Sequence, residues 1–157
     1  MQPPSVQAAV VMQLIRLDNR WQPEKWEVIR VVPDASPPGT PASVVYEDNA
    51  RVEWLHPGFA LSLHRDEAEG YFLNLSTPRP FVFVHWREEQ GRARPCAVTA
   101  SYHEAARLLD AGEPVDGVPM PAEWIEWLRD FAAIHYRPEP KKQRIRPPSF
   151  KGARRDE

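Results

Sequence analysis

A single cysteine, Cys96, occurs in the 157 residues, so no internal disulfide can staple the chain and its stability must come from a core. A reducing compartment, the cytoplasm, is the expected location. Long apolar runs are missing too. The stretch from Ala8 to Ile15 falls far short of the roughly 20 residues a helical membrane span requires, and no positive residue precedes it as in a secretion signal. Glycine is scarce, 7 against 18 prolines, which favours stiff connections over flexible ones.

These shortages also exclude chemistry. The glycines are scattered at 39, 58, 70, 91, 112, 117 and 152, and although Gly112 and Gly117 have phosphate-loop spacing, Val118 stands where that loop needs lysine. No serine sits in a Gly-x-Ser-x-Gly elbow. Cys96 follows Pro95 near a strand start, with no neighbouring histidine or helix N-terminus to activate it, and is expected to be a buried, inert thiol. Nucleotide-handling and nucleophilic enzymes are disfavoured, and neither a cofactor nor a metal is expected.

Apolar material is sufficient for one domain. The chain is 42% hydrophobic and 10% aromatic, and folding at this length hides roughly 70% of the unfolded surface. Charge divides it: residues 137–157 carry eight basic and three acidic side chains, a net of +5, whereas the preceding residues carry 12 and 19, a net of −7. Opposite signs allow body and tail to attract each other. The expected organisation is a globular domain over 1–136 and a basic, proline-containing, solvated tail over 137–157.

Runs of β-branched and aromatic residues predict strands at Ala8–Arg16, Trp26–Val32, Ser43–Glu47 and Arg51–Leu55, the last two joined as a hairpin across Asp48-Asn49-Ala50. The proline-rich Asp34–Pro41 segment reads as a loop. After His56-Pro57-Gly58, the residues Phe59, Leu61 and Leu63 alternate with Ala60, Ser62 and His64, so His64 should face away from the core. Further strands are predicted at Tyr71–Leu75, Phe81–Arg87 and Ala97–Thr99.

Helical signals follow at the C-terminal end of the domain. Ser101-Tyr102-His103-Glu104 has the form of a capping box for a helix over 102–111, stopped at Gly112. Pro121 opens a second helix whose Trp124, Trp127, Leu128, Phe131 and His135 share one face, and the prolines at 138 and 140 end it. The expected fold class is α+β: an antiparallel β-sheet or small β-barrel of about seven or eight strands, followed by two C-terminal helices.

Candidate sites are few. Trp21 and Trp26 bracket a short polar segment and could grip a partner, although burial in a core is the commoner fate of tryptophan. His64, Asp66, Glu67 and Glu69, with His85 further on, supply ligand types for a metal, but no defined ligand spacing connects them, and Arg65–Gly70 also reads as an ordinary solvated turn. His56, His103 and His135 have local explanations: a turn before proline, a first helical turn and a helix C-terminus. The tail is the strongest compositional signal. Lys141, Lys142, Arg144, Arg146 and Lys151, with Phe150 as an apolar anchor, could dock on an acidic protein surface or contact nucleic-acid phosphates, or simply be solvated.

Several stretches together resemble a proteobacterial family of unknown function encoded beside molybdenum-dependent formate dehydrogenases. They are Asn19-Arg20-Trp21-Gln22 with Trp26-Glu27, Asp66–Tyr71 with Leu73-Asn74-Leu75, Arg79-Pro80 before Phe83, Glu104–Asp110, Val118–Pro121 and His135-Tyr136. The resemblance covers nearly the whole chain and rests on the order of the pieces. Some members of that family are labelled molybdopterin-guanine dinucleotide biosynthesis proteins, but guanylyl transfer needs a glycine-rich phosphate cradle that this sequence lacks. The resemblance carries no catalytic residues across. What it implies is a non-catalytic accessory or maturation factor that binds a formate dehydrogenase subunit or an assembly partner. The alternatives are a small metal- or cofactor-dependent enzyme built on His64, Asp66, Glu67 and Glu69, and a nucleic-acid binder acting through the tail.

Overall fold

Valine and alanine dominate the first predicted strand, and in the computed structural model, which describes residues 2–138, they form the centre of a sheet. Strand β1 (Ser5–Arg16) lies between β2 (Glu24–Pro33) and β4 (Arg51–Ser62), antiparallel to both, and β3 (Ser43–Glu47) closes the far side in the order β2-β1-β4-β3. β1 pairs with a strand on each edge and buries every residue from Ala8 to Met12 rather than alternate ones. A second antiparallel sheet has the order β6-β5-β7, from β5 (Phe81–Glu89), β6 (Arg92–Thr99) and β7 (Val115–Pro119). The fold is α+β, as predicted. The strands form two separate sheets, not a closed barrel.

Three features depart from the expectations. His56-Pro57-Gly58 does not end a strand: β4 runs through it as a bulge, with Ala8 opposite Phe59 and Val10 opposite His56. Pro57 lacks a ladder donor, and at a bulge that loss is tolerated, while Gly58 adopts a φ of 94° and donates its N–H to the Asp34 carboxylate at 2.9 Å.

Tyr71–Leu75 is not a strand but part of helix α1 (Ala68–Leu75), preceded by a 3-10 turn at Arg65–Glu67. Its buried residues Ala68, Tyr71 and Asn74 recur at helical spacing. Gly70, a poor residue for a helix interior, is there because a Cβ would lie 2.2 Å from Ser101 Oγ and 3.2 Å from the His103 backbone nitrogen. Short β7 is the third departure. It is held by antiparallel register with β5, from Phe81 opposite Pro119 to His85 opposite Val115.

Helix α2 (Tyr102–Asp110) begins where the capping box predicts, with the Glu104 N–H donating to Ser101 Oγ at 3.1 Å, and Gly112 follows it with a φ of 82°. Helix α3 (Ala122–His135) buries Trp124, Leu128 and Ala132 along one stripe and packs on α1 through an edge-on contact of Tyr71 with Phe131. Helices α1 and α3 and both sheets share one core, in which Met12, Val10, Leu61, Val82, Val84 and Leu128 are fully buried. Among the described residues no helix is long and apolar enough to cross a membrane.

Candidate recognition cleft

Where the inner face of the four-stranded sheet meets β6, an open cleft of about 230 Å³ is lined by Trp26, Trp54, His56, Arg92, Arg94 and Pro95, with Ala42 and Ala93 at its walls. Register explains the first three. Trp54 and His56 stand two apart on β4, opposite the buried Met12 and Val10 of β1, so they point to the inner face, and Trp26 is carried on β2 opposite Leu14. The other wall comes from a tight hairpin between β5 and β6. Gln90 and Gly91 both take positive φ, 53° and 75°, as a two-residue turn of this hand requires. That turn brings Arg92, Ala93, Arg94 and Pro95 along the outer edge of the three-stranded sheet, where Pro95 disrupts no second ladder.

The electrostatics of the cleft are one-sided. The Arg92 guanidinium lies 4.7 Å from the centre of the Trp54 ring, a cation–π contact that holds it in place. Burial, reinforced by the charges of Arg94 and Arg92, keeps His56 below the usual imidazole range, so the ring is neutral at neutral pH. Among the described residues no carboxylate lines the cleft, and Glu89 borders the adjoining space that shares Arg92 and Arg94.

Ala42 leads from the cleft wall directly into β3, which forms an edge of its sheet. Val44, Val45 and Tyr46 on this strand are 43, 49 and 41% exposed. A register shift between Val44 and Tyr46 bulges the strand, a device that limits indiscriminate edge pairing.

The polar cluster anticipated around residue 64 is divided in space. His64 faces away from the core, as its alternation predicts, and Asp66 is exposed as well. Both border a shallow groove with Phe131 and His135. Glu67 instead turns to α2, accepting from Ser101 Oγ at 2.5 Å and from Arg107 at 2.8 Å. Burial would raise its carboxyl, but these hydrogen bonds and the Arg107 charge outweigh burial and hold it below the usual range. Glu69 meets His103 at 2.8 Å, and His85 meets Glu113 at 2.6 Å on the other sheet. Among the described residues no group of three or more His, Cys, Asp or Glu side chains is placed to hold a metal ion.

Other candidates also resolve. Trp26 packs against the core, whereas Trp21 does not: it is 87% exposed. Trp124 is buried and Trp127 partly so. Cys96 is exposed rather than buried, because it is the extra residue of a bulge between β5 and β6, and partial burial of its thiol still pushes the pKa up. Lys141, Lys142, Arg144, Arg146, Phe150 and Lys151 lie outside the described residues. The cleft itself escaped sequence reasoning. Its sole local trace is the alternation Arg92-Ala93-Arg94, and its tryptophans come from strands distant in sequence.

In comparisons with known proteins, one family model, described as Protein of unknown function (DUF3305), matches residues 7–145. No curated protein and no solved structure matches the chain.

Proposed function

This chain belongs to the DUF3305 family of proteins of unknown function, and from that premise we propose that it is a non-catalytic accessory factor that binds a molybdenum-dependent formate dehydrogenase or one of its assembly partners in the cytoplasm. One observation carries the binding role: an exposed apolar edge strand, β3, runs straight into a cleft of two tryptophans and two arginines. Tryptophan, tyrosine and arginine are the residues that dominate binding energy at protein interfaces, and strand edges accept extended partner segments through backbone hydrogen bonds. The partner's identity rests on the family resemblance. The basic residues from Lys141 to Lys151 supply a second contact, to an acidic surface of the same partner.

The reading is tested by deleting the gene and measuring formate dehydrogenase activity and its molybdenum content, with complementation by the full chain and by a chain truncated after Tyr136. A drop in activity restored by the full chain is expected. Unchanged activity and molybdenum content in the deletion strain would sink the proposal.

A further inference from the structure

We infer that the cleft selects a carboxylate: a partner segment enters it in extended form, seats an acidic side chain or chain terminus on Arg92 and Arg94, and lays its neighbouring residues along β3. This rests on the reading of the protein as a polypeptide binder and adds the chemistry of what it binds. The first support is the state of the two arginines. Arg30, Arg51, Arg87, Arg107 and Arg129 each hold a glutamate. Arg92 and Arg94 form no ion pair among the described residues, and neither do Arg16, Arg20, Arg65, Arg79 and Arg137; what sets the first two apart is that they stand together in a cleft whose described lining has no carboxylate, with Glu89 across from Arg92 on β5 but not paired to it. Two like charges left side by side on one edge strand repel, and an anion bridging them removes that repulsion.

Presentation and size are the second support. With its guanidinium held on the Trp54 ring, Arg92 loses little freedom when it binds, and its planar donors match a carboxylate in two-point contact. The remaining lining is apolar or neutral: Trp26, Ala42, His56, Ala93 and Pro95. The volume, about 230 Å³, falls below the roughly 300–1,000 Å³ of pockets for drug-sized ligands. It suits one or two side chains. Ala42 continues the wall into β3, so a chain seated by its acid has an exposed strand edge to follow.

The test uses the full-length, isotope-labelled protein and four probes: acetyl-Val-Thr-Val-Glu-Glu-Val-amide, its Gln-Gln counterpart, glutarate and inorganic phosphate. The glutamate peptide is expected to shift the side-chain signals of Arg92, Arg94 and Trp54 together with the amides of Ser43–Glu47, and to bind about tenfold or more tightly than the glutamine peptide. Glutarate is expected to move the side-chain signals alone. Arg92→Gln and Arg94→Gln, both at exposed positions, are expected to keep the folded spectrum and erase the difference between the peptides.

Equal binding of the two peptides, absence of saturable shifts at the cleft with every probe, or tighter binding of phosphate than of glutarate would each overturn the inference. Failures of the two proposals separate cleanly. If gene deletion leaves formate dehydrogenase unaffected while the peptides are discriminated, the partner is wrong and the cleft chemistry stands. If deletion abolishes activity and the doubly substituted chain restores it fully, the cleft chemistry is wrong and the accessory role stands.

Discussion

Replacing Asn74 with leucine probes the joint on which the fold turns. Asn74 is 1% exposed and its amide joins three elements: Nδ2 donates to the Phe81 carbonyl at 2.8 Å and to the Ala100 carbonyl at 2.9 Å, and Oδ1 accepts the Phe81 N–H at 2.9 Å. Helix α1 is thereby fixed to the start of β5 and to the residue following β6. Leucine is of similar size, so no cavity term enters, but three backbone groups, two of half-buried Phe81 and one of buried Ala100, lose their side-chain partner. At about 1–1.5 kcal/mol for each bond, the expected loss is about 3–4.5 kcal/mol, which lowers Tm by roughly 10 °C in a domain of this size. Urea denaturation followed by tryptophan fluorescence measures it, with an unchanged denaturant slope.

Asn74→Asp adds a pH arm. Its carboxylate would face two carbonyls in a buried site, so its folded pKa is raised above the unfolded value of about 3.9. A group of this kind is tolerated best at low pH and destabilises progressively as pH rises through that interval, so the gap to wild type should widen between about pH 4 and pH 7. A loss below about 1 kcal/mol for Asn74→Leu, or a pH-independent gap for Asn74→Asp, would refute the bridging role.

The close approach of α1 to α2 predicts that Gly70→Ala destabilises by about 1–3 kcal/mol despite alanine's better helix propensity, with a smaller cost when Ser101→Ala is already present. Equilibrium unfolding of the two single variants and the double variant measures the coupling. Glu67 has a folded pKa below its ordinary 4.5, so its contribution is present above that value and lost as pH falls through the lower, folded one. Glu67→Gln should therefore cost about 1 kcal/mol at pH 7 and converge with wild type in acid, as thermal melts across pH would report. Trp21→Ala should alter stability by less than about 0.5 kcal/mol, since the ring is 87% exposed. Trp124→Ala, at a position 4% exposed, should cost about 3–5 kcal/mol in the same urea assay.

Local physics made much of the fold readable. Runs of β-branched and aromatic residues marked β1 to β5, and Ser101 with Gly112 marked both ends of α2. Both signals rest on neighbours within a few residues, so they survive without knowledge of the fold. Helix α1 was hidden because its Gly70 and aromatic Tyr71 and Phe72 oppose helix by propensity. What overrides them is contact with residues some 30 positions later, Ser101 and Ala100. β7 was hidden because a five-residue segment containing Gly117 has no pattern of its own and exists only as a partner for β5.

The sequence by itself determined the class of the fold, the ends of its C-terminal helices, the outward direction of His64 and the division of charge between body and tail. Only the tertiary structure decided which polar groups meet. It drew Glu67 and Glu69 away from His64 into contact with Arg107 and His103 of α2, set His85 against Glu113, and gathered Trp26, Trp54, His56, Arg92 and Arg94 from three strands into one cleft. The physical reason is range. Strand and helix signals are written at spacings of two to four residues, whereas a site is assembled by register and sheet packing between segments whose separation along the chain leaves no periodic trace.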